Sequence, residues 1–213
     1  MSLRGKRALV TGSSRGIGRG IALKLAEQGV KTAIHYYKQE EAANETLAQV
    51  RARGSDGFVV QADVTRPEEI QGMFDRVRRE FDKLDILVSN ARPELAAFYR
   101  PPMEITLEQW HNAMDSQAQA FLLEAQTVAR MMPDGGRIIA ISYSPSGRTG
   151  SWQPWIAMGA AKAAMDALAR YFAVTLGRRG ITVRVAGETH AIPGHDEAVQ
   201  RARLESVLEH RDA

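Results

Sequence analysis

The stretch Ala8-Leu9-Val10-Thr11-Gly12-Ser13-Ser14-Arg15-Gly16-Ile17-Gly18 constrains this chain more than any other. An apolar run rich in strand formers ends at Thr11, and glycines follow in the spacing G-x-x-x-G-x-G. Beyond it, Ile17, Ile21, Ala22 and Leu25 recur at helical spacing, and Gly29 marks a C-terminal stop. Strand, glycine turn and helix in that order make a phosphate-binding device. Gly12 permits the tight turn, Gly16 lets backbone approach a ligand, and Gly18 lets helix and strand pack closely. The free amides at the helix start, with the helix dipole, then face a pyrophosphate. Glycines alone also describe an ordinary turn; the strand before and the helix after are what point to a nucleotide.

The 213 residues suffice for one α/β domain with a full core. We assign 1–190 to that domain and 191–213 to a short charged tail, helical over Asp196 to His210. Apolar content of 44% and charged content of 25% are those of an ordinary globular protein. The net charge of +3 comes from basic residues scattered among acids, which argues against a nucleic-acid partner. The absence of cysteine excludes disulfides, thiolate zinc sites and a cysteine nucleophile. The first strand begins too early to leave room for a signal peptide, and no apolar run approaches a membrane span. A cytoplasmic protein with no membrane partner and no metal is expected.

Lys31 to Tyr37 reads as a second strand and Glu40 to Arg53 as a helix closed by Gly54. Phe58 to Val64 is a third strand, handing over to Thr65-Arg66-Pro67-Glu68, a capping box with proline in the first turn. The next helix carries Ile70, Met73, Phe74, Val77 and Phe81 on one face. Leu84 to Ser89 is a short strand of the kind buried on both faces. A loop over Arg92 to Ile105 precedes a long helix capped by Thr106-Leu107-Glu108-Gln109. Arg137 to Ser142, a helix from Trp155 to Arg179, and Ile181 to Ala186 follow. Strict alternation predicts α/β architecture: a doubly wound parallel sheet of at least six strands with right-handed crossovers and helices on both faces. Ligands in such sheets sit beyond the carboxyl ends of the strands, where Thr11 to Gly18, Asp63, Asn90 to Arg92, Ser142 to Ser144 and Gly187 onward fall.

Thr-Gly-x-x-x-Gly-Ile-Gly, then Asp63-Val64, Asn90-Ala91, a strand ending in serines and Lys162 early in a helix: this ordered set resembles the short-chain dehydrogenase/reductase family. The similarity covers residues 4 to 186 and is greatest to bacterial 3-oxoacyl- and enoyl-acyl-carrier-protein reductases. The resemblance implies a Rossmann-type fold, a nicotinamide cofactor, and a homodimer or homotetramer built on the two long helices. It assigns Gly12, Gly16 and Gly18 to the pyrophosphate, with Ser14, Arg15 and Ile17 in the same cofactor-binding loop. Asp63 and Val64 fall to the adenine, Asn90 with Ala91 to the adjoining ribose, and Lys162 to the nicotinamide ribose.

An NAD enzyme usually ends its second strand with a carboxylate for the ribose hydroxyl. Here that end reads Ile34-His35-Tyr36-Tyr37-Lys38, without an acid. Arg15 and Lys38 can instead meet a 2′-phosphate, with Tyr36 on the same adenosine side, so NADP(H) is the expected cofactor. The alternative is that both cations are solvated surface charges.

The pattern then breaks. Family reductases protonate the substrate oxygen with a tyrosine four residues before the lysine, or in some enoyl reductases seven before. Those positions are Met158 and Trp155, neither of which can supply a phenolic proton. The active-site asparagine of the long helix falls at Gln117, which keeps an amide but moves it outward. Arg92 replaces a glycine, and the Pro-Gly after the sixth strand is replaced near Glu188-Thr189. The family's seventh strand cannot be found. Ser144 best matches the catalytic serine, and Tyr143 beside it is the tyrosine in the vicinity able to take over as acid. Strand alternation argues instead for Tyr143 turned away into sheet packing. Three readings follow: an NADP(H) oxidoreductase acting on a small-molecule or acyl-carrier-bound carbonyl or enoyl substrate; a non-redox cyclase, isomerase or dehydratase on the same fold; or an inactive partner subunit. The intact cofactor half favours the first.

Overall fold

The computed structural model describes residues 2–143 and 154–188. Six parallel strands, β1 (Arg7–Val10), β2 (Lys31–Tyr36), β3 (Gly57–Gln61), β4 (Ile86–Ser89), β5 (Arg137–Tyr143) and β6 (Thr182–Glu188), form one sheet in the order β3-β2-β1-β4-β5-β6. Helices α1 (Gly16–Glu27) and α2 (Glu40–Ala52) cover one face. Helices α3 (Pro67–Phe81), α5 (Ala120–Met131) and α6 (Ile156–Gly177) cover the other, and α4 (Leu107–Met114) packs on α6. The period of two in each strand sorts the core. Leu9, Leu87, Ile138 and Ala140 face α3, α5 and α6, whereas Ala8, Val10, Ile86, Val88 and Ile141 face α1. The order of strand addition reverses between β1 and β4, and the crevice at that switch point is where a doubly wound sheet binds its ligand.

Three local expectations need correction. Thr65 forms no capping box: its N–H and hydroxyl both donate to Asp63 Oδ1, at 2.9 and 2.7 Å, and α3 begins without a side-chain cap. The same turn ends β3 at Gln61 rather than Val64. The long helix from Thr106 is two helices, α4 and α5, joined by a π-helical turn over Asp115–Gln119. Its cap is as expected, with Thr106 Oγ1 and Gln109 satisfying each other's backbone N–H. Among the described residues no helix is long and apolar enough to cross a membrane, and no group of three or more His, Asp or Glu is placed to hold a metal. The tail beyond 190 lies outside the described residues.

Candidate active site and nucleotide site

The glycine loop is built by close approach. Gly12 has φ +64°, and a Cβ there would lie 2.8 Å from Ala91 Cα. A Cβ on Gly18 would lie 2.3 Å from the Gly12 carbonyl oxygen and 2.6 Å from Asn90 Nδ2. Any side chain at either position would push α1 and β4 away from the loop. Gly16 is different: above it nothing lies within 4 Å, so its neighbourhood is open to a ligand. Arg15 precedes α1 in extended backbone, and the helix start has no side-chain cap, which leaves first-turn N–H groups for an anion. Ser14 is buried, its carbonyl accepting from Arg19 and Thr46, and Ile17, in the first turn of α1, packs partly buried against the sheet core with Val10 and Val88. These features fit the pyrophosphate of a dinucleotide.

Asn90 and Ala91 hold the loop from the sheet side. Asn90 Nδ2 donates to the carbonyls of Thr11 and Gly12 at 2.8 and 3.2 Å, and both backbone N–H groups donate to Thr11 Oγ1. The amide assigned to a ribose is thus engaged in joining β4 to the loop. Asp63 is likewise engaged, its carboxylate with Thr65 and its N–H with Glu69 at 2.7 Å, while Val64 is buried in the core. On the adenosine side, Arg15 Nη2 meets Glu94 Oε1 at 3.1 Å with both side chains exposed. Lys38 Nζ sits 4.9 Å above the Tyr37 ring. Tyr36 is buried under α2 with Leu47 and Val50; burial and a hydrogen bond to Glu40 raise its phenol above the usual range.

At the carboxyl end of β5 the lysine and the aromatic side chains converge. Lys162 is 4% exposed and its Nζ donates to the Ile141 carbonyl. Met158 is fully buried, packing rather than chemistry. Trp155, at the head of α6, stands two turns before Lys162, on the same helical face. Tyr143, the last residue of β5, stacks its ring on Trp155 at 5.6 Å and 24°. Phe98 and Tyr99 from the loop after β4 also flank Trp155, at 6.2 and 6.3 Å, and the Arg100 N–H donates to the Pro154 carbonyl at 2.6 Å. Arg92 turns its guanidinium over Phe98 at 5.9 Å. The loop after β4 and the head of α6 therefore share one aromatic wall. Ser144 and Thr189 lie outside the described residues.

Gln117 sits in the π turn, and its amide is directed inward, not outward. It is 1% exposed and donates to the Ala91 carbonyl at 3.0 Å, tying the helix layer to the strand that holds the glycine loop.

Three buried polar groups here escaped the sequence reading. His35 links β2 to Gly12, Ser142 has a buried hydroxyl without a partner, and Glu124 lies fully buried on α5. Burial pushes the Glu124 carboxyl up to about 7, against the opposing pull of a Ser89 hydrogen bond and the Lys162 charge. Its signal in the sequence is a carboxylate inside Phe121-Leu122-Leu123-Glu124-Ala125, on the apolar face of a helix.

Comparison with known proteins matches residues 12–188 to the family model described as enoyl-(acyl carrier protein) reductase. The chain is 37% identical over 182 residues to a hydroxynaphthalene reductase-like protein, Arp2, of Metarhizium brunneum, covering 85% of this chain and 67% of that one. It is 36% identical over 176 residues to 1-cyclohexenylcarbonyl-CoA reductase of Streptomyces collinus, covering 83% and 61%. Among solved structures, the landomycin C-6 ketoreductase LanV with bound NADP and rabelomycin superposes with a TM-score of 0.80 at 35% identity, covering 87% of this chain and 76% of that one.

Proposed function

The chain belongs to the enoyl-(acyl carrier protein) reductase family of the short-chain dehydrogenase/reductase superfamily, and from that premise we propose that it is an NADP(H)-dependent oxidoreductase of carbonyl or enoyl substrates, with Tyr143 as its acid. The observation that carries the reading is the stack of Tyr143 on Trp155 at the head of the helix that bears Lys162. It presents a phenol at the ligand end of the sheet although the usual helix positions hold Met158 and Trp155.

The glycine loop and the uncapped start of α1 would take the pyrophosphate, and Arg15 and Lys38 the 2′-phosphate. Lys162 would hold the nicotinamide ribose. Bound there, the nicotinamide supplies the hydride. Charge then develops on the substrate oxygen, and the chain must neutralise it. Tyr143 Oη would give its proton to that oxygen, while the Lys162 ammonium would stabilise the negative charge. Tyr99 is less suited to the task, being 45% exposed on a loop, whereas Tyr143 is held by strand pairing and by the stack.

The wall of Tyr99, Tyr143 and Trp155, backed by buried Phe98, suits a planar conjugated substrate. That agrees with the names of relatives called hydroxynaphthalene reductase-like protein and landomycin C-6 ketoreductase. A small or acyl-carrier-bound thioester remains within the same reaction class. The test is NADPH binding by fluorescence, followed by NADPH oxidation with 1-tetralone and with crotonyl-CoA. Reduction of either substrate supports the reading. Tight NADPH binding with oxidation by neither contradicts it and favours the non-redox alternative.

A further inference from the structure

The loop after β4 runs from the nucleotide side of the site to the aromatic wall, and a cation stands between the two. At one end Ala91 closes on Gly12 and donates its N–H to Thr11 Oγ1 at 3.1 Å. At the other, Phe98 lies 6.2 Å from the Trp155 ring and the Arg100 N–H donates to the Pro154 carbonyl. Arg92 follows Ala91 directly, yet its guanidinium carbon sits 5.9 Å from the centre of the Phe98 ring, at the wall end. Its charge is not matched within the chain. One of the five guanidinium N–H groups donates to the Pro93 carbonyl at 3.1 Å, and among the described residues no carboxylate pairs with it. The acid nearest to it in sequence, Glu94, is held by Arg15 at 3.1 Å. Arg76 makes the contrast: it also lies over a ring, that of Phe58 at 5.8 Å, but Glu80 pairs with it at 2.9 Å. Phe98 is buried and so gives Arg92 a fixed anchor, while the Arg92 side chain itself is exposed and keeps N–H groups available to a ligand.

We propose that Arg92 determines substrate specificity: it takes an anionic oxygen group of the substrate, a carboxylate on a planar ring system or a phosphate on an acyl carrier, at the rim of the wall of Tyr99, Tyr143 and Trp155. The proposal deepens the functional reading given above and rests on it. A carboxylate or phosphate matches the planar guanidinium fork through two parallel N–H···O bonds. The aromatic wall supplies contact area to a flat ligand, and one charged contact at its rim fixes the ligand's orientation. The phosphates of the cofactor have other partners in that reading, the glycine loop with Arg15 and Lys38, which leaves Arg92 to the substrate.

The experiment is a calorimetric titration of the full-length protein, with and without saturating NADP+, using three ligands: 1-naphthoate, its neutral analogue 1-naphthamide, and coenzyme A. Each is measured on wild type, on Arg92→Gln and on Arg92→Lys. Wild type should bind 1-naphthoate more tightly than 1-naphthamide. Arg92→Gln should weaken 1-naphthoate by about five- to tenfold and leave 1-naphthamide and NADP+ within about twofold, and Arg92→Lys should recover part of the loss. A loss confined to coenzyme A also supports the proposal and places the anion on the carrier rather than the ring. Unchanged affinity for both anions, or no binding of either to wild type, overturns it. Equal weakening of 1-naphthamide or of NADP+ overturns it as well, because Arg92 would then serve the fold or the cofactor. In a protein that reduces neither 1-tetralone nor crotonyl-CoA, a preference for the anion that is lost in Arg92→Gln supports the site and defeats only the oxidoreductase reading.

Discussion

His35 Nδ1 accepts the backbone N–H of Gly12 at 2.8 Å while its Nε2 lies 3.0 Å from the Ala62 carbonyl oxygen. Because the Gly12 amide can only donate, the proton of this imidazole is on Nε2, and His35 bridges β1, β2 and the turn after β3. Ser13 repeats the connection, exchanging backbone and hydroxyl bonds with His35 at 3.0 Å. The first turn of the glycine loop is therefore set by a side chain beneath it.

His35→Leu should leave the buried Gly12 N–H unsatisfied, at a cost of about 1–3 kcal/mol in stability. It should also weaken NADPH by a similar factor, because the loop loses its register. Urea unfolding and a fluorescence titration check the two parts separately.

The pH dependence of stability should reveal two opposed groups. Burial lowers His35 from 6.5 to about 4. The unfolded histidine takes up its proton first, so this contribution is complete above 6.5 and is lost as pH falls toward 4. Burial raises Glu124 from 4.5 to about 7. Here the unfolded carboxyl ionises first, so stability is lost as pH rises from 4.5 toward 7. The slopes oppose each other between them, and the wild type should be nearly flat from pH 5 to 6.5. Glu124→Gln should instead gain about 2 kcal/mol over that interval, and His35→Leu should lose as much. Urea unfolding at the two pH values measures both.

Arg15→Ala should weaken NADPH by about 1–3 kcal/mol and leave NADH nearly unchanged. The existing partner is no obstacle: the ion pair with Glu94 joins side chains 62% and 75% exposed, a kind of contact worth about 0–1 kcal/mol. Equal weakening of both cofactors would remove Arg15 from the 2′-phosphate.

Helix α6 leaves Tyr171 and Val174 exposed at 77% and 83%, and α4 leaves Leu107 at 75%. Such side chains on two neighbouring helices suit a two-fold interface. Sedimentation should show a dimer or larger assembly at micromolar concentration, reduced to monomer by Val174→Glu. A monomeric wild type would refute the interface.

The glycine loop and the alternation of elements carried the whole sheet, because both are local patterns repeated along the chain. Partner choice was harder to read. Thr65 and Thr106 both head a capping pattern, but only Thr106 caps, because Asp63 takes the N–H and hydroxyl of Thr65 first. Asn90 and Lys162 stood out as motif residues, yet their bonds to Thr11, Gly12 and Ile141 depend on strands distant in sequence. The stack of Tyr143 on Trp155 was not legible, because it joins the end of β5 to the head of a helix twelve residues on. Glu124 stands in the sequence as a charge on an apolar helix face, but its full burial depends on α5 packing against the sheet.

The central claim is that the acid has moved from α6 to the end of β5, and Tyr143→Phe tests it most directly. The substitution keeps the ring on Trp155 and removes only the hydroxyl. Single-turnover reduction by bound NADPH should fall by about 10²–10⁴-fold, with NADPH affinity unchanged. A rate within a few-fold of wild type, at equal cofactor occupancy, would show that the proton comes from elsewhere.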